Sequence, residues 1–262
     1  MIKVKKHMDV FIRYKYLLKL LIVKDLKLKY RQSFLGYLWS ILNPLFVMIV
    51  LAVVFSTIFS GQVEHFPVYL LSGNMLYSFV RESSIHAMNS IIGNGSLIRK
   101  TYVPKYIFTL AAVTSDLINM LFSMMALFLV MLATGVPFTP YIFLAVIPLA
   151  ELYVFSIGLG LFLAQANVFL RDIQHIWNPF VLIWMYVTPI IYPMKALSEP
   201  LQWIISRFNP LYYYVVLFRD FVMYGQVPWW PNVWRGGIFS ILMLLIGLWS
   251  FARAKDRFIL YI

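Results

Sequence analysis

The sequence predicts an all-α polytopic membrane protein. It should have six transmembrane helices, an N-terminal amphipathic interface helix, and short re-entrant or gate helices before the last span. Three observations lead there. Hydrophobic residues make up 62% of the 262 residues and charged residues only 12%, about half the charge of an ordinary soluble domain. The apolar stretches are long and continuous rather than strictly alternating, which argues for helices and against a barrel as the way to satisfy backbone hydrogen bonds in lipid. The net charge of +12 is gathered at the N-terminus and in a few connections, which suits a membrane surface better than nucleic acid.

The elements follow in order. Residues 1–33 read as a cytoplasmic interface segment. Within it Val10 to Arg31 forms an amphipathic helix, with Phe11, Tyr14, Leu18, Leu21 and Leu28 recurring near helical spacing. Arg13, Lys15, Lys19, Lys24, Lys27 and Arg31 take the other faces, so the helix should lie along the membrane interface. It serves either as a topogenic anchor or as a docking surface for a partner. No short apolar region closed by small residues follows the basic start, so no cleavable signal peptide is expected.

Residues 34–262 read as a single six-helix transmembrane domain. Its spans are expected near Tyr37–Phe59, Pro67–Ile92, Pro104–Thr134, Tyr141–Asn167, Ile176–Tyr192 and Val233–Ala252, at ~1.5 Å of rise per residue. The segment 193–232 is apolar but interrupted by Arg207, Asn209-Pro210, Arg219 and Asp220. It should hold two short helices that dip into the outer leaflet or pack over the spans, with a seventh and eighth full span as the alternative. Ten Lys/Arg lie in the first 31 residues, and more flank 94–105, Arg171 and the C-terminus, whereas the connections Gly61–Phe66 and Gly135–Pro140 have none. Both termini are therefore expected in the cytoplasm.

Several chemistries are excluded. No Gly-x-x-x-x-Gly-Lys-Ser/Thr loop is present, so the chain lacks the usual cradle for ATP. His7, His65, His86 and His175 are scattered and form no metal-spaced pair. Cysteine is absent, which removes disulfide and thiol chemistry. Gly158 and Gly160 read as helix-packing glycines. No catalytic site and no cofactor are expected in this chain.

What stands out instead is the run Asn94-Gly95-Ser96-Leu97-Ile98-Arg99-Lys100-Thr101-Tyr102-Val103-Pro104. It is short, basic and closed by proline between two apolar segments. A rigid element of this kind suits contact with a separate motor protein. Arg171-Asp172, before the fifth segment, is either a solvated turn or a second such contact. Arg81 and Glu82 fall inside the second apolar segment, where charge is costly and usually faces a cavity or a partner. Either they pair with another helix or subunit, or the helix breaks nearby and both are wet. Asp116 and Glu151 raise the same question. Aromatic residues reach 18%, more than interfacial belts need. Phe55, Tyr77, Trp184 and Tyr186 lie deeper, as helix packing or as faces on which sugars could slide.

With these motifs in view, the chain resembles the membrane subunit of polysaccharide ABC exporters of the ABC-2 type: the O-antigen, capsule and teichoic-acid export permeases. The resemblance is carried by Lys29-Tyr30-Arg31-Gln32-Ser33-Phe34-Leu35-Gly36-Tyr37-Leu38-Trp39, Asn43-Pro44, Asn94 to Pro104, Val168-Phe169-Leu170-Arg171-Asp172-Ile173, Thr188-Pro189-Ile190-Ile191-Tyr192 and Asn209-Pro210-Leu211. It implies a homodimer joined to two copies of a separate ABC ATPase subunit, which binds ATP and Mg. Asn94, Ser96, Leu97, Ile98, Arg99, Lys100 and Tyr102 would then form a coupling helix, with Arg171 and Asp172 beside it. Tyr14, Leu18, Leu21, Lys24 and Arg31 would belong to an interface helix on the same partner. The cargo would be a lipid-linked polysaccharide exported across the plasma (inner) membrane. Alternatives are an ABC-2 exporter of a drug or small lipid, a membrane polyprenyl-lipid transferase, and an ion-driven secondary transporter.

Overall fold

The computed structural model describes residues 2–30, 35–59, 61, 63–254, 257–258 and 261, with the side chains of 2–13, 30 and 57–59 left aside. Arg31, Gln62 and Lys255 lie outside the described residues, as do the side chains of Phe11 and Arg13. Ten α-helices account for most of the described chain. They are α1 (Ile2–Tyr30), α2 (Trp39–Phe59), α3 (Phe66–Gly93), α4 (Gly95–Lys100), α5 (Tyr106–Thr134), α6 (Val146–Phe169), α7 (Ile173–Val187), α8 (Glu199–Phe208), α9 (Pro210–Val222) and α10 (Trp230–Ala254).

The expectation of six spans is corrected to four. Among the described residues, Gly36–Ser56, Tyr106–Thr134, Pro140–Phe169 and Trp230–Ala254 are long and apolar enough to cross a bilayer. The expected second span, Pro67–Ile92, falls on α3. That helix is long enough at 28 residues but too polar, since Asn74, Ser78, Arg81, Glu82, Ser83, Ser84, His86, Asn89 and Ser90 interrupt its apolar surface. It is tolerated because protein encloses it: α2, α5, α6, α7 and α9 all pack on it. The expected fifth span, Ile176–Tyr192, falls on α7, which ends at Val187 after 15 residues. At ~1.5 Å per residue that is about 22 Å, short of a ~30 Å hydrocarbon core.

Local chemistry sets the helix ends. Gly135 adopts φ 74° and donates its N–H to the Met131 carbonyl, the left-handed cap that ends a helix most cheaply with glycine. Asn209 caps α9 by accepting the Leu211 N–H, with Pro210 in the first turn, where proline's missing N–H costs nothing. Inside α2, Pro44 can offer no N–H to the Ser40 carbonyl. The Ser123 hydroxyl of α5 donates to that carbonyl instead, at 3.0 Å.

Two apolar clusters hold the molecule. The larger runs through α3, α5, α6 and α9, with Leu70, Leu71, Leu76, Leu127, Leu152 and Phe218 almost fully buried. The smaller one gathers Leu21 of α1, Ile98 of α4, Ile107 and Phe108 of α5, and Phe251 and Phe258 of the C-terminal region. It therefore brings both terminal regions and α4 to one end of the bundle. The connection before α6 meets α9 at the opposite end, where Gly225 approaches Thr139. The tightest helix pair is α6 against α10. A Cβ on Gly158 would fall on the backbone of Met243 and Leu244, and one on Gly247 on the Gly158 carbonyl.

Candidate functional site

The basic end is built from α1, α4 and the turn before α7. In α4 the side chains divide. Ile98 is buried in the smaller cluster and Leu97 is half-buried against it, whereas Ser96, Arg99 and Lys100 are exposed. Tyr102 just beyond is fully exposed, and its carbonyl accepts the Tyr14 hydroxyl at 3.1 Å. Asn94, the cap of α4, receives Lys24 Nζ on Oδ1 at 3.2 Å and itself donates to the Ser90 carbonyl at 2.8 Å. Thus α1 holds both ends of the short helix. Leu21 is buried and Leu18 packs against the same cluster. Arg171 and Asp172 are exposed, and Asp172 stands at the N-terminus of α7.

Arg81 and Glu82 are both exposed. Glu82 pairs with Lys29 of α1 at 2.8 Å, so this part of α3 lies level with the basic helix. One turn on, His86 Nδ1 meets Asp116 of α5 at 3.1 Å, and its Nε2 lies 3.9 Å from Asp25 of α1. The hydrogen bond to Asp116 raises the His86 pKa above its ordinary 6.5, against the opposing effect of burial. Glu151 of α6 abuts Gly236 of α10, and its Oε2 has no hydrogen-bond partner.

The four deep aromatics do not share one surface within a single chain. Tyr77 is buried and donates to the Val181 carbonyl at 3.2 Å, fastening α7 to α3. Trp184 donates its indole N–H to Asn209 at 2.9 Å. Phe55 is half-buried on α2, and Tyr186 is 59% exposed on α7.

Arg219 is the centre that the sequence did not single out beyond a break in an apolar run. It is 3% exposed. Its guanidinium lies 3.4 Å over the Tyr69 ring. It donates to the carbonyls of Pro189 at 2.8 Å, Tyr69 at 2.9 Å and Ile190 at 3.0 Å. The irregular Thr188–Ile191 segment is buried. Such backbone can sit at membrane depth only when protein satisfies its carbonyls, and Arg219 does this together with the Tyr69 hydroxyl, which points at Pro189 O and Tyr192 O. Asn209 donates to Thr188 Oγ1 at 2.9 Å from the other side. Gly73 makes room for the guanidinium, since a Cβ there would lie 2.6 Å from Nη2.

These elements make a multi-pass helical membrane protein with one basic end and a short helix braced by an amphipathic one. Residues 16–223 match the family described as ABC-2 type transporter, and the chain belongs to that family. It is a membrane permease subunit. It is similar to the O-antigen export system permease protein RfbA of Klebsiella pneumoniae, 28% identical over 93% of this chain and 95% of that one. The RfbA of Myxococcus xanthus is also 28% identical, over 94% and 95%. The polysialic acid transport protein KpsM of Escherichia coli is 23% identical over 87% and 89%.

Proposed function

We propose that this chain is the permease of an ATP-driven exporter that moves a lipid-linked polysaccharide across the inner membrane, as a homodimer with two copies of a separate ABC ATPase. The observation that carries the reading is near end-to-end similarity to O-antigen export permeases, 95% of whose length is matched. The bundle supports it. Its basic end collects α1, α4, the Arg171-Asp172 turn and the C-terminal region. Positive charge is retained on the cytoplasmic side, so this end would face the ATPase. Ser96, Arg99 and Lys100 of α4, with Tyr102 just beyond it, are the exposed contact residues, and Leu97 completes the apolar edge. Ile98 acts by seating α4 on its own chain. Tyr14, Leu18, Leu21 and Lys24 brace α1 against that docking element. The irregular segment locked by Arg219, with α8 and α9, would form the outer gate. Exposed Tyr186 and half-buried Phe55, with Tyr77 and Trp184 further in, would edge the polymer path once a second copy is present.

The test is reconstitution. The chain, co-purified with its ATPase in proteoliposomes, should move a polyprenyl-linked glycan only when ATP is hydrolysed. A preparation that instead extrudes small amphiphiles and ignores the glycan would favour the drug or small-lipid alternative.

A further inference from the structure

The feature left unused by this reading is a cavity of about 340 Å³ between the first turns of α2, the middle of α3 and α5, closed on one side by the end of α1. Its size falls at the lower end of small-ligand sites. Its wall carries the amides Asn43, Asn74 and Asn119, the hydroxyl of Ser78, the carboxylate of Glu82 and the indole of Trp39. Asn43, Asn74 and Ser78 make no side-chain hydrogen bond with any described residue. Polar groups among apolar spans are costly unless something answers them. Here three stand side by side on two helices, facing open space.

The chemistry of the wall selects the occupant. Amides both donate and accept, and so does a hydroxyl. A ring bearing several hydroxyls would satisfy such a wall, and the Trp39 indole adds an apolar face for its C–H surface. A phosphate would need cations, yet the lysine at the cavity, Lys29, is already paired with Glu82 at 2.8 Å. Trp39, Asn43 and Val47 are exposed on α2, so the cavity opens along a helix whose remaining outer surface is apolar, with Phe46, Ile49, Val50 and Val53 exposed. A lipid tail can therefore stay in the bilayer while its adjoining sugar enters.

Resting on the proposed polysaccharide export, we infer that this cavity is a binding site for an uncharged glycosyl unit next to the lipid anchor. The experiment uses the purified complex with its ATPase and two probes: a polyprenyl diphosphate carrying a short neutral oligosaccharide, and the same lipid without sugar. Asn43→Leu, Asn74→Leu and Ser78→Ala are made singly, and export by the parent complex is measured alongside. The sugared probe should bind the parent more tightly than the bare lipid. Each asparagine variant should lose about tenfold in affinity for it, with the bare lipid unaffected. Melting should hold or rise in these variants, because an unpaired polar group is exchanged for an apolar one. Equal losses for both probes, or no loss for either, overturn the site. Lower melting with unchanged sugar preference also overturns it, by showing that these residues are structural. If the parent exports glycan while the variants bind as the parent does, the site fails and the function stands. If the parent binds the sugared probe through these residues but exports nothing, the function fails and the site stands. A parent that does neither overturns both.

Discussion

At the scale of residues, the molecule depends on a few polar side chains that repair backbone its own helices leave open. Arg219 is the clearest. Arg219→Met would keep much of the volume but strip donors from the carbonyls of Pro189, Tyr69 and Ile190. Pro189 O would keep the Tyr69 hydroxyl and Tyr69 O the Ser72 hydroxyl, but Ile190 O would lose its donor; a buried acceptor left unpaired costs about 1–3 kcal/mol, so a drop in the melting temperature of the detergent-solubilised protein is expected. Arg219→Lys should recover only part of it, because an ammonium cannot fan out to three carbonyls as a guanidinium does. A Met variant that melts like the parent would remove Arg219 from its assigned role. The same reasoning applies to close packing. Gly158→Leu would drive a side chain into the backbone of α10 at Met243, so loss of the monodisperse folded peak on size-exclusion chromatography is expected, whereas Gly237→Ala, with its nearest atom 3.5 Å away, should be tolerated.

At the scale of elements, α4 and α1 act as one unit. Charge reversal of Arg99→Glu together with Lys100→Glu should weaken ATPase binding about tenfold or more, which corresponds to ~1.4 kcal/mol per factor of ten. The permease itself should remain folded, since both side chains are exposed. Pull-down of the ATPase over a salt series checks this, and retention equal to the parent's would refute the docking role of α4. Replacing Ile98 would not test it, because its side chain is buried in the smaller cluster. The brace between α1 and the bundle should also respond to pH. His86 faces Asp116 of α5 and Asp25 and Lys29 of α1, with Glu82 one turn away on its own helix. Its pKa is raised in the folded protein. Its contribution is thus complete below its unfolded value of 6.5 and is lost as pH climbs through the higher folded value. Protease cleavage within α1 should therefore quicken across that window, and His86→Gln should flatten the profile.

At the scale of the whole molecule, two ends are distinguished by what they gather. The parent has no cysteine, so single cysteines report their side cleanly. Ser96→Cys, at the basic end, should be labelled from the cytoplasm, and Pro137→Cys, beyond the span formed by α5, from outside. Labelling of Pro137→Cys solely from the cytoplasm would invert the arrangement. Across a dimer, Tyr186→Leu should slow polymer export while leaving melting unchanged, because Tyr186 is exposed in the single chain. Leu at Tyr77 or Trp184 would also remove hydrogen bonds to Val181 and Asn209, so a melting change there reports packing as well. Export by Tyr186→Leu at the parental rate would remove it from the path.

The sequence by itself determined the solvent, the helical class, the basic end and the short run at Asn94–Pro104, because these are properties of composition and local order. Apolar length forces helices in lipid, and clustered lysine and arginine stay where they are neutralised. It misjudged the number of spans because apolar residues were counted across helices that do not qualify: α3 is long enough but too polar, its polar groups answered by the neighbouring helices, and α7 is cut short by Thr188-Pro189. Only the tertiary structure decided which charges meet. Lys29 and Glu82, or His86 and Asp116, stand 53 and 30 residues apart, and no periodicity records such a distance. It also decided that Ile98 faces inward while its neighbours face out, and that Arg219 closes a buried break in the chain. The reason is common to all of them: a partner for a buried polar group or an apolar side chain comes from whatever helix lies alongside, and that neighbour is set by packing across the bundle rather than by order along the chain.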